Sequence, residues 1–182
     1  TVTDKFDAVL TPAGCDKAAD FINFCDAFNI PVLSLTNVKG FKADKCSEKK
    51  IAKAAAKLTY AFANATVPKV NVIIGQAFGS AYVAMNSKGI GADITMAWPD
   101  AQIGTMDAKL AAKIICDGQG AEAIDACAKE YAALQMSAAS AARRGYVDQI
   151  IEPEDTRKYV IGAFEMLLPK REDRPAKKHG TV

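Results

Sequence analysis

Val72-Ile73-Ile74-Gly75-Gln76-Ala77-Phe78-Gly79-Ser80-Ala81-Tyr82 runs an apolar, β-branched stretch into a series of small residues, and its reading decides the fold. The apolar run predicts a buried strand over Val70 to Ile74, Gly75 to Ser80 predicts a glycine-rich turn, and Ala81 to about Lys88 a short helix. The first N–H groups of a helix have no intrahelical acceptor, so such a turn can present two of them to an oxyanion. Gly79, Ser80 and Ala81 are the candidates. The same small residues also suit a plain, closely packed strand-to-helix connection, and spacing alone leaves both readings open.

Working outward, Phe6 to Leu10 alternates as a short strand, and Cys15-Asp16 opens a helix with apolar positions Ala18, Ala19, Ile22, Cys25 and Phe28. After Pro31, Val32 to Val38 reads as a buried strand, Gly40-Phe41 as a turn, and Ser47 as the N-cap of a long helix to Asn64, stopped by Pro68. Downstream, Asp93 to Trp98 predicts a strand, Pro99-Asp100 a turn and Ala101 to Gly104 an extended piece. Helices follow over Ala108 to Asp117, Ala121 to Leu134, a short piece before Gly145, and Glu154 to Leu168. Strands alternating with helices, without repeat or linker, predict a single α/β domain over residues 1–168. Residues 169–182, with Lys170, Arg171, Arg174, Lys177 and Lys178, read as an extended basic tail.

The 182 residues fit one compact domain, and 34 alanines within an apolar fraction of 50% suit close helix packing. A formal charge of +2 gives no field to hold a nucleic acid, and no apolar run is long enough to insert in a membrane. Cys15, Cys25, Cys46, Cys116 and Cys127 show neither a C-x-x-C pair nor zinc spacing, which fits free thiols in the cytoplasm. The single histidine, His179, lies in the basic tail, so a Ser-His-Asp triad, a Cys-His dyad and a His-based metal site are disfavoured. No metal is expected. Asp93, Asp100, Asp107 and Asp148 have no spacing that pairs an acid with a base, and Met85, Met96 and Met106 read as core filling. Gly118-Gln-Gly120 matches part of a dinucleotide fingerprint but follows a helical pattern where a strand is required. Any chemistry must then come from backbone dipoles, carboxylates, substrate or a cofactor.

Several ordered motifs resemble one family. Phe24-Cys-Asp-Ala-Phe-Asn-Ile-Pro-Val32, Ala65-Thr-Val-Pro-Lys-Val70, Ala77-Phe-Gly-Ser-Ala-Tyr-Val-Ala-Met-Asn-Ser-Lys88, Gly91-Ala-Asp93, Ala97-Trp-Pro99 and Met106 are similar, in order, to the C-terminal, biotin-side domain of the carboxyltransferase subunit of biotin-dependent acyl-CoA carboxylases and decarboxylases. Arg144-Gly-Tyr-Val-Asp-Gln-Ile-Ile-Glu-Pro-Glu-Asp-Thr-Arg157 and Lys177-Lys-His-Gly180 resemble its closing segment. The resemblance implies a crotonase-like spiral of β-β-α units that moves a carboxyl group between carboxybiotin and the α-carbon of an acyl-CoA. It also implies an oligomer, homo- or hetero-, with an acyl-CoA-binding N-terminal domain and a biotin carrier as partners, and biotin arriving on a separate chain or domain.

Residue by residue, the resemblance gives Ser80 and Ala81 the catalytic role, their backbone N–H groups meeting the biotin ureido oxygen. Gly79, Gly40 and Phe41 would line the cofactor site, and Tyr82 and Val83 the acyl site. The sequence departs from the family pattern at Lys39, where proline is usual, at Ser80, where a second glycine is usual, at Gly75-Gln76, where an Arg-Lys pair is common, and at Asp107, where glycine follows the methionine. Two other functions stay open: a catalytically silent assembly module of such a complex, and an independent crotonase-like acyl-CoA enzyme.

Overall fold

The computed structural model describes residues 8–174. The expected strand from Phe6 to Leu10 is represented by a two-residue strand, β1 (Val9–Leu10), preceded by a bend at Ala8; Phe6 and Asp7 lie outside the described residues. Helix α1 (Pro12–Ala27) begins ahead of Cys15. Thr11 caps it, its hydroxyl accepting from the Gly14 amide at 3.1 Å, and Pro12 fills the first turn, where a missing N–H costs nothing. Cys15, Ala19, Ile22 and Cys25 form its buried stripe, whereas Phe28, expected on that stripe, is 66% exposed.

Strand β2 (Val32–Val38) has the expected bounds, and Gly40-Phe41, expected as a turn, is instead strand β3 (Gly40–Phe41), parallel to β1. Helix α2 (Lys45–Asn64) is capped by Asp44 and not by Ser47. One Asp44 carboxylate oxygen accepts from the amides of Cys46 (3.0 Å) and Ser47 (2.7 Å), which places a negative charge at the positive end of the helix.

Strand β4 (Lys69–Phe78) passes straight through the expected turn at Gly75 and hands over to a short helix, α3 (Gly79–Ala84). Gly75 stays in the strand because of a bulge: Thr36 pairs with Ile73, but Val38 pairs with Ala77. Asn37 fills the gap, its side-chain oxygen accepting the Gln76 amide at 2.9 Å, and a Cβ on Gly75 would lie 2.8 Å from that oxygen.

Next come β5 (Ile94–Ala97), β6 (Gln102–Gly104), α4 (Ala108–Ile115) and α5 (Ala121–Tyr131). A π turn over Ala132–Met136 leads to α6 (Ala138–Arg143). An unexpected short strand, β7 (Gln149–Ile150), and a helix, α7 (Thr156–Leu167), complete the described chain. The main sheet is parallel throughout in the order β2-β4-β5-β7, with β6 on the far half of β4.

Leu58, Phe62 and Ile22 pack against Val32 on one face, and α7 brings Ala163 against Val70, Val72 and Met96 on the other. β2 is an edge strand that α7 does not cover, so Leu33 and Leu35 stay about 40% exposed where a fully buried strand is expected. Lys69 is buried, its Nζ donating to the Phe62 carbonyl in the last turns of α2 at 2.7 Å, and burial pushes its pKa down. Asp93 accepts both the Lys69 amide (2.8 Å) and Lys170 Nζ (2.9 Å), which fastens the residues after α7 to the sheet. Lys177, Lys178 and His179 lie outside the described residues.

Thr11→Ala is expected to lower the unfolding free energy by about 1 kcal/mol through the lost cap. Leu58→Ala, which opens the α1–α2 core, is expected to cost roughly 2–5 kcal/mol. Urea unfolding followed by far-UV circular dichroism measures both, and equal effects would contradict this packing.

Candidate functional site

The strand-to-helix passage at the end of β4 depends on one glycine. Gly79 has φ +58°, which takes the chain from strand into helix without a loop, and a Cβ there would lie 2.9 Å from the Thr105 carbonyl oxygen. The residue before it, Phe78, is the N-cap of α3 and makes no side-chain capping bond. The first-turn amides therefore meet neither an intrahelical acceptor nor a capping side chain. Ala81 is 1% exposed, packed with Ile73 and Ala77, so it holds the helix down and has only its backbone to offer. Ser80 and Val83 face outward.

In front of this turn lies an open cavity of about 460 Å³. Gly79, Ser80, Tyr82 and Val83, all expected site residues, line one wall. Ile103 and Gly104 of β6 and Thr105 after it continue this wall, and Tyr131, Gln135, Ala141, Arg144 and Tyr146, from the end of α5 to the turn after α6, form a second one. Gly40 and Phe41 do not line the cavity. β3 packs against α3, and Phe41 lies against the core that contains Ala81 and Tyr82.

Sequence reasoning gave the second wall no site role: Tyr131, Gln135 and Ala141 come from segments whose local patterns announce only helices, and Arg144 and Tyr146 stand in the closing-segment motif without a role attached. The π turn after α5 is the one structural oddity there, and such turns re-aim side chains at functional sites. Here it carries Gln135, whose side-chain oxygen accepts a hydrogen bond from the Arg144 guanidinium. Burial pushes the Tyr82 phenol up to about 12, with nearby Tyr146 adding to the shift, so Tyr82 stays a neutral hydrogen-bonding group at any ordinary pH.

Among the described residues, no carboxylate lines the cavity. Asp93 is bound to Lys69 and Lys170, Asp107 caps α4 through the Lys109 amide, and Asp148 accepts from the Thr95 amide while pairing with Lys88. Among the described residues, no cluster of three or more His, Cys, Asp or Glu side chains is placed to hold a metal. All five cysteines are free, and burial raises the Cys15 thiol to about 11, leaving it inert. Gly118-Gln-Gly120 follows helix α4, so the dinucleotide motif lacks its strand. The Met series is core in part: Met96 is buried, Met85 and Met106 only partly. No helix among the described residues is long and apolar enough to cross a membrane. With backbone N–H groups, tyrosine rings, apolar walls and one cation, the cavity is equipped to seat a flat polar group and stabilise charge on its oxygen.

Residues 3–182 match the family model described as the carboxyl transferase domain. The chain is 48% identical over 178 residues to the propionyl-CoA carboxylase beta chain of Saccharopolyspora erythraea, covering 92% of this chain and 33% of that protein. It is 44% identical over 176 residues to the methylmalonyl-CoA carboxyltransferase 12S subunit of Propionibacterium freudenreichii subsp. shermanii, covering 91% and 33%. The crystal structure of transcarboxylase 12S, a hexamer with methylmalonyl-CoA and methylmalonic acid bound, superposes with a TM-score of 0.91 at 42% identity, over 94% of this chain and 34% of that one. The crotonase-like fold expected from the motifs is the fold of these neighbours. The chain spans about a third of the length of the curated relatives it matches.

Gly79→Ala forces a side chain into left-handed backbone and against the Thr105 carbonyl. It is expected to destabilise the fold by about 1–3 kcal/mol in urea unfolding, with the largest amide shifts at the cavity. From the ordinary value of 10.0 to about 12, the unfolded chain loses the Tyr82 proton while the native state keeps it. The unfolded state then binds fewer protons, so stability falls as pH rises through that window. Tyrosinate absorbance should show one phenol ionising late, and Tyr82→Phe should remove that step.

Proposed function

The chain belongs to the carboxyl transferase domain family, and from that premise we propose that it is the biotin-binding half of a carboxyltransferase that moves a carboxyl group between carboxybiotin and the α-carbon of an acyl-CoA. The observation that carries this reading is the Gly79 turn, which brings Ser80 to the wall of a cavity that no carboxylate lines among the described residues, with Ala81 packed in the core beside it and absent from the lining. Carboxybiotin, brought by a separate carrier chain or domain, supplies the carboxyl group. The backbone N–H groups of Ser80 and Ala81 donate to the ureido oxygen and stabilise the negative charge that grows on it, a preorganised stabilisation that needs no histidine.

Tyr82 keeps its phenol neutral beside that oxygen site, and Val83, 43% exposed at the cavity edge, borders the acyl group. Gly40 and Phe41 act behind α3, through the packing that fixes the helix. The acyl-CoA-binding half comes from the remaining length of a complete carboxyltransferase, and the working site forms in an oligomer containing both halves. Five unpaired thiols suit a cytoplasmic setting. An independent acyl-CoA enzyme is the weaker reading, because no carboxylate among the described residues lines the cavity to act as base.

Position 80 separates this function from a silent assembly module. Ser80 is exposed at the cavity, so Ser80→Leu covers the amides without disturbing the core. In an assembly of this chain with an acyl-CoA-binding half and a carboxybiotin carrier, Ser80→Leu is expected to reduce carboxyl transfer about 10²–10³-fold, the effect of losing an oxyanion donor. Ser80→Gly should keep turnover or raise it. Unchanged turnover in Ser80→Leu, with assembly intact by sedimentation, would leave the chain a structural module.

A further inference from the structure

Several cations of the domain are answered by a carboxylate. Lys57 meets Asp20 at 2.9 Å, Lys88 pairs with Asp148, Lys170 meets Asp93 at 2.9 Å, and Arg174 pairs with Glu172. Arg144 is not among them, and its place sets it apart: among the described residues it is the single charged residue lining the cavity at the end of β4, and no salt bridge to it occurs there.

Its placement is fixed by the chain around it. The Arg144 amide donates to the Ser140 carbonyl at 3.3 Å, Gly145 turns the backbone at φ +81°, and the Tyr146 amide returns to the Ala141 carbonyl at 3.0 Å. The guanidinium donates to the side-chain oxygen of Gln135, which is neutral and so orients the group without cancelling its charge. A guanidinium has five N–H donors in a planar fork, and Gln135 leaves enough of them to grip a carboxylate with two parallel bonds.

We infer that Arg144 is the receptor for the carboxylate being transferred, held by Gln135 at the mouth of the cavity. This inference rests on the carboxyltransferase reading of the same site. That group carries a negative charge on whichever side it is attached, on the ureido ring or on the acyl thioester, and the cavity has one positive charge to meet it. Val83, Ile103 and Ala141 place apolar surface in the same cavity. Arg144 is thus a specificity residue: it favours the carboxylated form of either substrate over its uncarboxylated counterpart.

The test uses two ligand pairs, each of a neutral molecule and a counterpart that carries an added carboxylate, titrated calorimetrically into the full chain. The first pair is biotinamide and its N1′-carboxymethyl derivative, and the second is the propionyl and methylmalonyl thioesters of N-acetylcysteamine. At least one pair is expected to favour its anionic member about tenfold, the scale of a charged hydrogen bond. The pair that does so identifies the source of the carboxylate.

Arg144→Gln should bring the ratio to about one without weakening the neutral member, and Arg144→Lys should restore part of it. Gln135→Glu, which supplies Arg144 with an internal carboxylate, should also abolish the preference. Equal affinities in both pairs, or a preference that survives Arg144→Gln, would overturn the role of Arg144 while biotinamide binding stood. Failure of both biotin ligands to bind, with a thioester preference that still needs Arg144, would remove the biotin reading and keep the carboxylate receptor.

Discussion

Strand β4 is hydrogen-bonded along both edges, to β2 on one side and to β5 and then β6 on the other, and nearly all of the domain is arranged around those parallel ladders. Its first half, Lys69 to Ile73, is buried, with Val70 and Val72 under α7 and Lys69 reaching α2. Even its polar members are tied down. Asn71 accepts from the Thr36 hydroxyl at 2.7 Å, and Lys69 reaches the Phe62 carbonyl. A strand held this firmly delivers its last residue, Phe78, to a fixed point, and Gly79 turns the chain there under the Thr105 carbonyl. The position of the α3 amides follows from the ladder and owes little to the six-residue helix itself.

That rigidity suits a site whose proposed chemistry is electrostatic. Donors that must meet a growing charge act best when they need not reorganise, and backbone N–H groups anchored by a buried strand and by Ala81 meet that condition. The rest of the cavity is complementary in kind: Tyr82 is kept neutral by burial, the walls are apolar, and the one cation is oriented by an amide side chain. The carboxylates that a hydrolase would use are occupied elsewhere as caps and ion-pair partners. The arrangement agrees with relatives that are named as carboxylase and carboxyltransferase subunits and are about three times as long.

Much of the near wall is legible in the sequence, because strand, glycine and helix follow one another within a dozen residues and each has a local signature. The bounds of β2 and the end of α2 at Asn64 follow from periodicity and proline. Helix starts are less secure: Thr11-Pro12 and Asp44 carry capping chemistry that outweighs the apolar pattern, so α1 starts before Cys15 and Asp44 displaces Ser47. Gly75 resembles a turn residue, yet its lack of a Cβ serves Asn37 across the bulge, a demand made by another strand. The far wall is hidden for a similar reason. Tyr131 and Gln135 sit in helical segments with no motif of their own, Arg144 and Tyr146 belong to the closing-segment motif but carry no local sign of a site, and only the tertiary fold brings them into one cavity with Ser80. Burial also depends on neighbours, which is why Phe28 and Leu33 are exposed despite their apolar character.

The central claim is that the amides at the start of α3 receive the ureido oxygen of biotin, and amide chemical shifts of the isotopically labelled chain during a biotinamide titration test it most directly. The account predicts saturable shifts that are largest at Ser80 and Ala81, accompanied by Tyr82 and Gly104, and absent from the ion-paired region around Lys170. Shifts confined to other surfaces, or none at millimolar biotinamide, would contradict it.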